Sequence, residues 1–145
     1  MTPKEGNNVI SIARIIRIVL IILAALIIAL SAFFVFRTRV KADHAFRDAK
    51  NVYLALSTAE IEYYAEGKSI YDPSKYNGLS DGVENRVREL VDNEGEYRII
   101  SYDTKNHRVT GMLYFNGNYY VSFNSNKGKS EWEVKYLMPI YKYED

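Results

Sequence analysis

The chain of 145 residues contains no cysteine, which excludes disulfides, thiolate metal ligands and a cysteine nucleophile. It has three prolines, and neither proline nor glycine occurs between Gly6 and Gly67. Nothing in that stretch therefore breaks a helix. Neither sign of charge dominates. Nineteen Lys and Arg stand against eighteen Asp and Glu, a formal net charge of +1. A nucleic-acid-binding surface should be clearly basic, so the balance argues against that class. There is no glycine-rich phosphate loop, because Gly78 and Gly82 lack the accompanying lysine.

Hydrophobicity is instead concentrated in one place. Ile18 to Phe36 carries no charge over nineteen positions, a length of roughly 28 Å as an α-helix, close to the hydrocarbon thickness of a bilayer. A cleaved signal peptide has an apolar region of about 7–15 residues. This run is longer, and only Ala29 and Ser31 offer a small-residue cleavage position. A buried core helix carries a polar face, which this segment lacks. The run reads as a retained membrane helix. Arg14 and Arg17 precede it and Arg37, Arg39 and Lys41 follow it, placed to snorkel to the two interfaces. With Lys4 the cations balance three against three, so the positive-inside rule leaves orientation undecided. Ala25 and Ala29 form a small-x-x-x-small pair suited to close helix approach.

The helical pattern continues past the apolar run. Ala42, Ala45, Ala49, Val52, Leu56, Ala59 and Tyr63 recur at spacings of three and four, beside Phe46 and Tyr53. This is an amphipathic stripe to about Ala65, with Lys41, Asp43, Arg47, Asp48, Lys50 and Glu60 mostly off it. Gly67 is the expected stop and Asp72-Pro73 and Asn77-Gly78 mark a loop. Asp81 with Glu84 has capping-box spacing before a short helix whose apolar face is Val83, Val87, Leu90 and Val91.

From Tyr97 the period changes to that of strands: Tyr97 to Asp103, Arg108 to Phe115, Tyr119 to Asn124 and Glu131 to Met138. Short connections at Thr104 to His107, Asn116 to Asn118 and Ser125 to Ser130 make neighbours antiparallel. Side-chain parity favours a three-residue loop that pairs Phe115 with Tyr119 and Leu113 with Val121, and sets Gly111 under Phe123. In the last strand Trp132, Val134, Tyr136 and Met138 form the inward row. The expected fold is α+β: a long N-terminal helix, transmembrane then amphipathic, packed on a four-stranded antiparallel meander. A flank (1–17), a membrane helix (18–36) and its amphipathic continuation (37–66) precede a loop, short helix and sheet (67–145), which form the head together with 42–65. Ala45, Ala49, Val52, Leu56 and Tyr63 supply the helical layer of its core.

Catalytic chemistry has few candidates. His44 and His107 stand apart from any triad spacing and read as surface residues. Glu60 and Glu62 are two apart on a helix and point different ways. Glu84, Glu89, Asp92, Glu94 and Glu96 mix with Arg86 and Arg88 as a solvated face. No metal, cofactor or small-molecule substrate is indicated. Of the thirteen tyrosines, Tyr64, Tyr71, Tyr76, Tyr141 and Tyr143 are candidate surface contacts, while Tyr119, Trp132 and Tyr136 suit the core.

An apolar helix running unbroken into an amphipathic half, then a loop and a meander, resembles type IV pilins and type II secretion pseudopilins. The segments Asp48-Ala49-Lys50-Asn51-Val52-Tyr53-Leu54-Ala55-Leu56 and Tyr63-Tyr64-Ala65-Glu66-Gly67 are similar to the second half of the helix in such proteins. The resemblance implies a non-enzymatic structural subunit, a cytoplasmic N-terminus, an extracytoplasmic head, and other pilin-like subunits or envelope proteins as partners in the membrane. It also implies leader cleavage between Gly6 and Asn7. The leader Lys4-Glu5-Gly6 has the basic residue and the glycine, but Ser11 stands where the family has glutamate, and Arg14 and Arg17 fall in the segment that is apolar in the family. The alternative is a single-pass protein whose small extracytoplasmic domain binds a ligand or a protein.

Overall fold

The computed structural model describes residues 6–92, 95–126 and 129–137. Lys4, Glu5, Glu94, Met138, Tyr141 and Tyr143 lie outside the described residues. The fold is α+β, one long helix packed against a four-stranded antiparallel sheet. The chain divides into two compact units, Met1–Val40 and Lys41–Asp145, each described by itself.

Helix α1 spans Gly6–Ala65, sixty residues. In the first unit its large apolar side chains from Ile12 to Phe36 are 53–70% exposed, on every face of the helix. In the second unit the same helix is one-sided: Ala45, Ala49, Val52, Ala55, Leu56 and Ala59 are buried, and Phe46, Tyr53 and Tyr63 pack against that core. It ends at Gly67, where φ is +72°. The Lys68 amide donates to the Tyr63 carbonyl at 2.8 Å and the Gly67 amide to the Tyr64 carbonyl at 2.9 Å. This is a Schellman closure, whose left-handed residue is cheapest as glycine.

The following loop is knit locally. Asp72 accepts from the Ser74 amide at 3.0 Å and Asn77 from the Leu79 amide at 3.1 Å. The Asn77 carbonyl also accepts the Ile99 amide at 2.9 Å, which ties the loop to the sheet. Helix α2 covers Val83–Leu90 and buries Val83 and Val87. The capping box is not formed. Gly82, at φ +83°, occupies the N-cap with no side-chain bond, so Asp81 lies one residue too early. The Asp81 carboxylate pairs with Lys75 and that of Glu84 with Arg88. Leu90, in the last turn, is 39% exposed rather than part of the buried face.

The strands are β1 Glu96–Asp103, β2 Arg108–Asn116, β3 Tyr119–Asn126 and β4 Lys129–Tyr136, in spatial order β1-β2-β3-β4. The β2–β3 loop corrects the parity argument. Asn116 pairs with Tyr119, Tyr114 with Val121 and Met112 with Phe123, leaving a two-residue loop of Gly117 and Asn118. The reason lies in the other neighbour of β2, where the register with β1 is irregular about Ser101 and Gly111. Both strands change face there: Ile99 and Tyr102 turn inward on β1, Val109, Met112 and Tyr114 on β2. Leu113 and Phe115 therefore lie on the opposite, half-buried face. A Cβ at position 111 would run into the Ser101 hydroxyl and come within 2.9 Å of Ile100 Cγ1, so any larger residue there would force both side chains to shift.

β4 is an edge strand, and its inward row is only partly covered. Trp132 and Val134 are half-buried, while Tyr136, expected inside, is 52% exposed beside Tyr119. Trp132 stands 5.7 Å from Phe46, 5.8 Å from Tyr53 and 4.7 Å from Phe123 between ring centroids, so aromatic contacts join α1 to the sheet. Such pairs add about 0.5–1.5 kcal/mol each beyond the area they bury.

Candidate functional site

In the first unit the candidate site is the surface of α1 itself. One helix near the N-terminus is long and apolar enough to cross a membrane. Its backbone groups are satisfied within the helix, as hydrocarbon requires. Two hydroxyls follow the same rule: Ser31 donates to the Ile27 carbonyl at 2.8 Å and Thr38 to that of Phe34 at 2.9 Å. Arg14 and Arg17 before the apolar run, and Arg37 and Arg39 after it, are exposed. Ala25 and Ala29 lie one turn apart on one exposed face, and Gly6 and Asn7 begin the helix.

In the second unit the charged residues of the two helices include surface pairs and, among the described residues, one buried carboxylate. Glu62 on α1 takes both arms of Arg86 on α2, with Nε–Oε2 and Nη2–Oε1 each 2.7 Å. Arg86 also reaches Glu89 at 2.8 Å. This fork holds the Glu62 carboxyl below the usual carboxylate range, chiefly through its hydrogen bonds. Of the acidic stretch, Glu84 and Glu89 are thus engaged by arginines, and among the described residues no group of three or more acidic or histidine side chains is placed to hold a metal ion. His44 is exposed; His107, also exposed, has φ +47° and its ring lies 4.6 Å from that of Tyr64.

The buried carboxylate is Glu60, 7% exposed. Its charge groups it with residues that lie mostly off the stripe. The signal was available, because Glu60 lies four residues after Leu56 and eight after Val52, which places it on their face. It meets the sheet at the β1–β2 hairpin. The Tyr102 hydroxyl and the Val109 amide lie close to it and favour its charged form, and Arg108 lies near enough to attract it. Its Oε1 has no hydrogen-bond partner among the described residues. Burial outweighs these stabilising groups and pushes the carboxyl above the ordinary range. Tyr102 is pushed up to about 12, by its own burial first and then by Glu60. Tyr71 stacks on the Tyr102 ring at 5.1 Å, and its amide donates to the Ser69 hydroxyl at 3.1 Å. The cluster thereby joins α1, the loop and the hairpin.

No protein-family model, curated protein or solved structure matches the chain. The candidate contact tyrosines differ in exposure. Tyr76 is 88% and Tyr64 59% exposed, while Tyr71 is half-buried against Tyr102. Arg98 lies over the rings of Tyr76 and Phe115, 5.5 and 5.6 Å from their centroids. Beside this group a surface concavity of about 550 Å³ is lined by Tyr76, Leu79, Glu84, Arg88 and Tyr97 among others.

Proposed function

We propose that this chain is a membrane-anchored, non-catalytic structural subunit of pilin-like or pseudopilin-like type. Its anchor would be Ile18–Phe36, its N-terminus cytoplasmic and its α+β head outside the cytoplasm. One observation carries the reading. A single uninterrupted helix, α1, is apolar and exposed all round from Ile18 to Phe36 and then supplies the buried stripe of an antiparallel α+β head. A helix that served only as an anchor would need no such stripe, and one that served only the head would need no apolar run of membrane length. Partners would be other pilin-like subunits or envelope proteins, met through the membrane helix and the exposed surface of the head.

Protease added to intact cells tests the topology. The head should be removed and a fragment containing Ile18–Phe36 retained in the membrane; protection of the whole domain until lysis would overturn the reading. Intact mass spectrometry then addresses the N-terminus. A full-length chain, allowing for loss of Met1, fits a simple anchor or a subunit at the tip or base of an assembly. A chain beginning at Asn7 recovered from sheared filaments identifies a polymerising subunit. Placing Arg14 and Arg17 in an apolar filament interior would cost about 2.5–3.5 kcal/mol each on insertion scales, which favours the first outcome.

The second reading, a single-pass protein with a small binding domain, is favoured by the concavity beside Tyr76 and Arg88. A ligand retained through purification of the full-length protein, and lost on Arg88→Ala, would support it.

A further inference from the structure

We propose that Glu60 is an acid-sensitive clasp between α1 and the β1–β2 hairpin, closing most tightly when its carboxyl is protonated and easing when it ionises. The geometry behind this is the set of partners that a buried carboxylate finds here. An ionised carboxylate has about four acceptor positions. Glu60, 7% exposed, finds the Tyr102 hydroxyl and the Val109 amide, while Oε1 faces no donor among the described residues. In a buried position the missing donors are not replaced by bulk water, so the charged form carries a cost that the neutral form avoids.

Every element packed around the group enters the balance. From β1 comes the Tyr102 hydroxyl, with Asp103 beside it adding a like charge near that hydroxyl. From β2 come the Val109 amide and the Arg108 guanidinium, which favour the charged form. From the loop comes Ser69, which acts on the Tyr102 hydroxyl as a donor and so leaves the Tyr102 proton for Glu60. On α1 itself the next turn carries Tyr64, with the ring of His107 against it. Among the described residues Arg108 is the one full positive charge that acts on Glu60, and it is exposed, where solvent weakens its attraction.

The sign follows from linkage. The folded protein holds the Glu60 proton at higher pH than the unfolded chain, whose carboxyl titrates near 4.5. The contribution of Glu60 to stability is therefore greatest below the unfolded value and declines as pH rises through the folded one. A glutamine at this position cannot ionise and should show no such decline.

The test is hydrogen exchange of the full-length protein in lipid nanodiscs, comparing wild type with Glu60→Gln at equal pH so that intrinsic exchange rates cancel. Amides of residues 99–110 should open more readily in wild type at pH 7. The gap should shrink towards pH 4.5 and close below it. Each pH unit by which the fold raises the midpoint appears as a tenfold gap in the opening equilibrium at neutral pH. Arg108→Gln, a change at an exposed side chain, should widen the neutral gap and leave the acid limit unchanged. A constant ratio between wild type and Glu60→Gln across the pH range would assign Glu60 a purely structural role and overturn the proposal. Greater protection of wild type at neutral pH would overturn it as well, by showing that Tyr102, Val109 and Arg108 more than compensate the charge.

Discussion

Leu54 and Leu56 are two residues apart on one helix and should respond very differently to truncation. Leu56 is fully buried in the core of the head, whereas Leu54 is 62% exposed. Leu56→Ala deletes three buried carbons and leaves a cavity that its neighbours fill only in part, at a cost of about 2–5 kcal/mol. Leu54→Ala removes little buried area, and the two residues have nearly equal helix propensity, so its effect should stay within about 0.5 kcal/mol. Trp132, the single tryptophan, reports on the packing that matters, because it touches Phe46 and Tyr53 of α1. Equilibrium urea unfolding of the full-length protein in detergent micelles, followed by its fluorescence, should show the difference. With an m-value of about 1–3 kcal/mol/M, the Leu56→Ala midpoint should fall by about 1 M or more, and that of Leu54→Ala should hardly move. Equal losses in the two variants would refute the assignment of the buried face. So would an unchanged midpoint in Leu56→Ala, by showing that the helix does not form a layer of the head.

Backbone and charge predictions follow from the same geometry. Gly78→Ala forces a side chain at φ +69° and brings its Cβ to 2.7 Å from the Ile99 carbonyl oxygen. A loss of about 1–3 kcal/mol should appear as a lower Tm, with Gly117→Ala, left-handed but in open space, costing about 1 kcal/mol. The Glu62–Arg86 fork should respond to pH in the opposite sense from Glu60. Its carboxyl is held low, so its contribution is complete above the unfolded value of 4.5 and is lost as pH falls through the folded one. Arg86→Gln should therefore flatten the acid limb of a pH–Tm curve and leave a weaker dependence on salt.

Much of this protein was legible from local chemistry. The apolar run, the unbroken helix and its stop at Gly67 depend on residues within one or two turns of each other, and so do the strand segments. Helix period, chain breakers and strand alternation are short-range properties. The Val52 and Leu56 stripe was visible for the same reason. Glu60 belonged to that pattern by spacing, and its charge led to the opposite assignment. Its burial depends on Tyr102, Val109 and Arg108, which lie more than forty positions away in sequence.

Tertiary structure decided the properties that depend on pairing between distant segments. The β2–β3 register could not follow from the alternation of β2 alone, because the irregularity at Ser101 and Gly111 turns both strands over part-way along. The cap of α2 was settled by Gly82 in a left-handed conformation, and the exposure of Tyr136 by the position of β4 at the sheet's edge. The sequence by itself therefore determined which segments are helix and strand, where α1 ends, and that one stretch is long and apolar enough for a membrane. The folded head alone determined which faces are covered and which carboxylate is buried, since burial and register depend on partners that no local window contains.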